Sequence, residues 1–94
     1  MEIKDNQFLR QFETTVDNQL LRLEYQHQER KIFLTKITIP ESITDDTIVN
    51  DFIKNVLDLL KEKELKVVPT ASKVASFFRK NPIYKSLLPP GIVI

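Results

Sequence analysis

The residues that could carry chemistry are few, and their types narrow the options at once. The chain has no cysteine and one histidine, His27. A thiolate nucleophile and a cysteine-ligated metal are excluded, and one histidine in a Gln-rich turn makes no transition-metal site. No metal cofactor is expected. Glycine is nearly as scarce, Gly91 being the only one. Loops that let phosphate reach bare backbone commonly rely on glycine. The best anion site is Thr44-Asp45-Asp46-Thr47-Ile48-Val49, at the start of a predicted helix. Free N–H groups at a helix N-terminus favour negative ligands. Asp45 and Asp46 already place like charge there. Two unit charges about 5 Å apart repel by roughly 3 kcal/mol at an effective dielectric of 20. A stable, capped helix without a ligand is the favoured reading.

The other candidates have plainer alternatives. Lys36 is a possible functional amine, or a lysine with its stem on the sheet and its head in water. Lys73, Arg79, Lys80 and Lys85 cluster in sequence and suit a nucleotide phosphate, an acidic partner or simply solvent.

The elements that must position these residues are readable in order. Residues 7–16 alternate as a strand, with Phe8, Arg10, Phe12 and Thr14 on one face. Asp17-Asn18 is a two-residue hairpin turn, since both types tolerate positive φ. Leu20 to Gln26 forms the second strand and Lys31 to Ile39 the third, stopped by Pro40. These make a three-strand antiparallel meander. A helix follows from about Thr44 to Lys63, with Thr44 or Ser42 as N-cap. Its apolar stripe includes Ile48, Phe52, Val56 and Leu60, the pattern of a helix lying on a sheet. Glu64 occupies the turn where glycine is usual, and a left-handed conformation there costs about 1–2 kcal/mol. Leu65 to Val68 is a fourth strand closed by Pro69, reached by a right-handed crossover. A second helix spans Ser72 to Lys80, capped by Ser72 or Thr70. Asn81-Pro82 starts a short last segment, with Asn81 as N-cap and Pro82 at the first helical position. The expected class is α/β (α+β), in a single domain over residues 1–94.

Composition adds limits. The net charge is +1, which argues for neither nucleic acid nor a membrane surface. No apolar run approaches a membrane span, and the polar, mixed-charge start is unlike a signal peptide. A cytoplasmic protein is expected. Apolar Ile92-Val93-Ile94 suits pairing on a sheet edge, burial in a dimer or packing on the parent domain, so a monomer or weak dimer is expected.

From Asn6 to Leu88 the chain resembles the small single-domain branch of the GNAT superfamily of N-acetyltransferases. The resemblance rests on the Asp17-Asn18 turn, Leu21-Leu23-Tyr25, Ile32-Phe33-Leu34-Thr35 and Ile39-Pro40-Glu41, followed by Leu65-Lys66-Val67-Val68-Pro69 and Asn81-Pro82 with Tyr84. It implies a twisted mixed sheet whose strands ending at Ile39 and Pro69 splay apart. It implies that acetyl-CoA slots its pantetheine arm into that gap while an amine substrate approaches from the other side. By resemblance, Ile39, Pro40 and Ile48 are cofactor-binding positions. Tyr84 is the candidate general acid towards a thiolate, although an aromatic packing the last segment is the plainer reading. The family's pyrophosphate loop carries Arg or Gln, two residues, Gly, one residue, then Gly or Ala. Here Thr44, Thr47 and Val49 hold those positions and only the apolar Ile48 fits. Lys36-Ile37 stands where the family often has His-Thr, Ala71 where it often has cysteine, and Asn81 where histidine is usual. The expected function is acetyl transfer from acetyl-CoA to an amine through a degraded cofactor loop. The alternative is an inactive domain of the same fold that binds a protein or small ligand.

Overall fold

Alternating side chains and positive-φ turns build a five-stranded sheet in the computed structural model, which describes residues 1–94. The strands are β1 (Lys4–Asn6), β2 (Gln11–Val16), β3 (Gln19–Gln28), β4 (Lys31–Thr38) and β5 (Lys66–Pro69). They lie in the order β1-β2-β3-β4-β5. The first four are antiparallel neighbours, and β5 runs parallel to β4. Helix α1 (Asp46–Glu62) makes the crossover, and α2 (Ser72–Lys80) and a 3-10 helix (Pro82–Leu87) follow β5.

The β2–β3 turn is the expected one, with Asp17 at φ 50° and Asn18 at φ 62°. Both central residues are left-handed, matching the twist of a tight hairpin. The start of the chain differs from expectation. Residues 7–10 form a turn, not strand. Asn6 Oδ1 accepts the Leu9 N–H at 3.1 Å, and Arg10 sits at φ 54°, so the ladder begins only at Gln11. Phe8, which the alternation assigned to a strand face, is 94% exposed. Ahead of the turn lies β1, an extra edge strand too short and polar to announce itself.

One face of the sheet carries the core. Phe12, Leu21, Leu23, Tyr25, Ile32, Leu34 and Val67 are buried there. They join one cluster with Phe52, Ile53, Val56, Leu57 and Leu60 of α1 and Val74, Phe77 and Phe78 of α2. Both helices therefore lie on that face. Phe33 and Val68, pointing the other way, are only half-buried. The architecture is two layers.

Helix α1 starts later than expected. Its N-cap is Asp45, not Thr44 or Ser42, because Asp45 Oδ1 accepts the Thr47 N–H at 2.9 Å. At the other end Glu64 is left-handed, at φ 58°. The Leu65 N–H bonds Leu60 O and the Glu64 N–H bonds Lys61 O, a Schellman closure that offsets the strain. The N-cap of α2 is Ala71, not Ser72 or Thr70, and it supplies no side-chain bond. Asn81 is the N-cap of the last segment, as expected, with Pro82 at its start, but its side chain makes no capping bond there. Its Nδ2 donates back to Phe77 O at 2.9 Å and finishes α2. Residues 92–94 join no strand.

On the open face, Glu13 is buried and accepts bonds from Gln11 Nε2 and Asn6 Nδ2. The Gln11 bond is the largest influence on its carboxyl and holds it below the usual range, against the opposing effect of burial. A depressed folded value means stability that is present above the unfolded carboxyl value and lost as pH falls through the folded one. Glu13→Gln should lower stability at neutral pH and flatten the acid limb of a stability–pH profile. Phe52, fully buried at the centre of α1, sets the larger scale. Phe52→Ala should cost about 3–5 kcal/mol in urea unfolding.

Candidate functional site between strands β4 and β5

Strand β5 follows β4 only from Lys31↔Lys66 to Leu34↔Pro69. The chain then turns, with the Thr70 N–H bonded to Val68 O. Leu34 O accepts two bonds at this point, from the Ala71 N–H at 2.9 Å and from Thr70 Oγ1 at 2.9 Å. Past that clip β4 runs on through Thr35–Thr38 with no neighbour on its outer side. The two strands therefore splay.

A bulge decides what the free edge offers. The β3–β4 register shifts between Glu24 and Tyr25, so Glu24 pairs with Lys36 while Tyr25 pairs with Leu34. Thr35 is the extra residue, and its Oγ1 donates to Glu24 O at 3.2 Å. Without it, the outward-pointing backbone would continue from Leu34 to Lys36 and Thr38. With it, the phase changes. The Tyr25 N–H bonds Arg10 O on the β2 side. Leu23, two residues away, has the same orientation, so its partner Ile37 must aim its N–H and C=O away from β3. That direction is the gap.

The gap opens into a cavity of about 530 Å³ bordered by Ile37 of β4, Ile39 and Pro40 just past its end, Asp46 and Val49 from α1, and Lys73 from α2. Arg22 and Lys36 also reach it. The Thr38 hydroxyl oxygen, on the same wall, is buried without a partner. A second cavity of about 240 Å³ runs on between the helices as far as Lys80. Asp46, Val49 and Lys73 line both, so the two form one groove.

The starts of the helices flank this groove and differ in charge. At α1 the Asp45 carboxylate takes the Thr47 N–H and the Asp45 carbonyl takes the Ile48 N–H at 3.1 Å. Asp46 adds a further carboxylate in the first turn. At α2 there is no side-chain cap and no acidic residue in the first turn, which contains Lys73.

Of the positions singled out in the sequence, Ile39, Pro40 and Lys36 line the cavity. Ile48 does not; it is half-buried and packs on the core. Tyr84 is also elsewhere. Its hydroxyl donates to Asp58 Oδ1 at 3.1 Å, and its ring leans on Phe77 with centroids 5.5 Å apart. Asp58 is three helical turns beyond Asp46, about 18 Å along α1. Burial first, and then Asp58, raise the Tyr84 hydroxyl above its ordinary value. It is a protonated donor held away from the gap. His27 is exposed near the end of β3. Sequence reasoning missed the bulge at Thr35, the clip at Leu34 and the place of Arg22. The clip's one signal is a hydroxyl residue, Thr70, directly after Pro69.

A family model described as GCN5-related N-acetyl-transferase matches residues 11–87. No curated protein matches the chain.

The cap on α1 should be measurable directly. Asp45→Ala should destabilise the protein by about 1 kcal/mol. In the same variant the Thr47 amide, no longer bonded, should exchange with solvent faster.

Proposed function

The chain belongs to the GCN5-related N-acetyltransferase family, and we propose that it transfers acetyl from acetyl-CoA to an amine, with a weakened hold on the cofactor's pyrophosphate. The observation that carries this reading is the unpaired outer edge of β4, where the bulge turns the Ile37 N–H into the gap.

The site fits the cofactor at one end and not at the other. The gap suits an extended, amide-bearing arm, which can add to a free strand edge as a neighbouring strand would. Ile39 and Pro40 border that path. The start of α1 does not suit a pyrophosphate. Asp45 consumes the Thr47 N–H, Asp46 adds negative charge, and Val49 puts a branched side chain on the groove wall. No arginine stands at Thr44 to pair bidentately with phosphate. A helix dipole contributes only about 0.3–1 kcal/mol at an exposed end, too little to offset those losses.

When bound, acetyl-CoA supplies the acyl group as an activated thioester. The protein's part is mostly positioning. The Ile37 N–H donates towards the carbonyl oxygen and gains strength as negative charge develops there. The amine would lose its proton to water and attack the thioester carbon; the C–S bond would then break and the coenzyme A thiolate leave, taking its proton from water. Tyr84, bonded to Asp58, serves packing and not proton transfer in this reading.

A second reading, a domain of this fold that binds a partner without catalysis, is favoured by the Asp45 cap. The two separate experimentally. Coenzyme A titrated calorimetrically should bind the native chain weakly. Asp45→Ser with Asp46→Arg keeps a cap, removes two negative charges and should bind about tenfold tighter. Ile37→Pro removes the gap-facing donor, a placement an edge strand tolerates, at the cost of part of a half-buried aliphatic contact. It should keep the fold by circular dichroism and lose acetyl-CoA-dependent thiol release. Tight native binding would remove the weakened-pyrophosphate part of the proposal. No binding by either protein, both folded, would leave the partner-binding reading.

A further inference from the structure

A separate cavity, of about 460 Å³, lies at the other end of the helix layer. It shares no lining residue with the gap between β4 and β5. Along β4, Ile32 lines one and Ile37 the other, about 17 Å apart at strand rise. Whatever it holds is too far away to be the acetyl acceptor in the gap.

We propose that this cavity, walled by Arg10, His27 and Lys63 over a floor of Phe12, Tyr25 and Ile32, binds a compact organic carboxylate with an apolar body. Its only anionic side chain is Asp5. That carboxylate is already engaged. Asp5 Oδ1 accepts the Tyr25 hydroxyl at 2.6 Å, and Asp5 Oδ2 lies 3.9 Å from Lys63 Nζ. Burial, then the bond to Asp5, push the Tyr25 hydroxyl up to about 12, so it stays a donor at neutral pH. The contact between Asp5 and Lys63 is the chain's one salt bridge, so the Arg10 guanidinium has no carboxylate partner. Arg10 also sits where an arginine is not expected. Its φ of 54° closes the β1–β2 turn, a conformation that favours glycine. Glu29 and Glu64 hold the same region in other turns, so the turn accounts for the conformation and the side chain is what distinguishes Arg10. Here its side chain brings a planar double donor to the cavity, which matches a carboxylate. Below it the buried Phe12 and Tyr25 rings lie 4.8 Å apart, centroid to centroid, and close the bottom of the cavity.

Benzoate is the probe, followed by amide shifts of the folded protein and by calorimetry. Saturable shifts should appear at Arg10, Tyr25, His27 and Leu65 and leave Ile37 and Ile39 unmoved. Arg10→Gly removes the guanidinium while suiting the positive φ, so the fold is kept, and binding should weaken about tenfold. Asp5→Asn keeps an acceptor for Tyr25 and removes the competing carboxylate, so binding should tighten. Benzylamine, the same ring with a cation, should not bind. Absence of saturable shifts at the cavity, benzoate affinity unchanged in Arg10→Gly, or equal binding of benzylamine would each overturn the proposal. These outcomes do not depend on coenzyme A, so they stand or fall separately from the acetyl-transfer reading.

Discussion

The carbonyl of Leu34 is the point at which this sheet stops being closed. Up to Leu34, β4 has neighbours on both sides. At Leu34 the Ala71 N–H and the Thr70 hydroxyl together take the place of a continuing β5. A buried carbonyl has two lone pairs, and here both are satisfied. That lets β5 end without leaving an orphaned acceptor, and it turns the chain directly into α2. The rest of the site follows. The edge past Leu34 is free because β5 has gone, and the Thr35 bulge decides which residue faces the free side. Removing the clip would loosen β5 and α2 together, because Thr70 and Ala71 link the two elements.

The folding determinants and the site determinants of this chain sit on different residues. The core stripe of α1 and the aliphatic residues of β3 and β4 are held in place by burial, where deleting even a methylene is felt. The groove residues Lys36, Asp46 and Lys73 are mostly exposed, and their replacement costs the fold little. A family scaffold can therefore keep its architecture while residues around the groove change. The Asp45 cap illustrates the exchange. A phosphate at a helix start and a carboxylate N-cap satisfy the same N–H groups. A helix that caps itself is stable without a ligand and has less to offer one.

This division also explains what was legible in the sequence. The stripe Ile48, Phe52, Val56, Leu60 has a strong period, and it predicted α1 to within two residues at its start and one at its end. Asp17-Asn18 and Glu64 were legible because a turn between strong elements must contain positive φ somewhere. The first strand was misread because Phe8, Phe12 and Thr14 alternate correctly while the Asn6 side chain takes the Leu9 N–H and folds a turn into the start of the run. Alternation cannot reveal a side chain that competes with the ladder for a backbone N–H. The choice of Thr44 over Asp45 as cap failed for a related reason. Both residue types cap well, and only the three-dimensional bond to Thr47 separates them. Ile39 and Pro40 reach the cavity because a strand end fixes them, and Tyr84 packs on Phe77, the plainer of its two readings, with its hydroxyl on Asp58.

The bulge at Thr35 is the feature least visible in sequence and most consequential in structure. Nothing in Leu34-Thr35-Lys36-Ile37 signals an extra residue, since threonine is an ordinary strand former. Its effect is nonetheless discrete. A one-residue phase change moves side chains to the other face and swaps which backbone groups point outward. Without it Lys36, not Ile37, would turn its backbone to the gap, and the Ile37 side chain would leave the core face it shares with Leu34 and Ile32. The bulge therefore satisfies two demands at once. It keeps β4 apolar towards the helices on both sides of Thr35, and it delivers a free N–H at the place where β5 has left the sheet. A regular strand of the same composition could meet only the first.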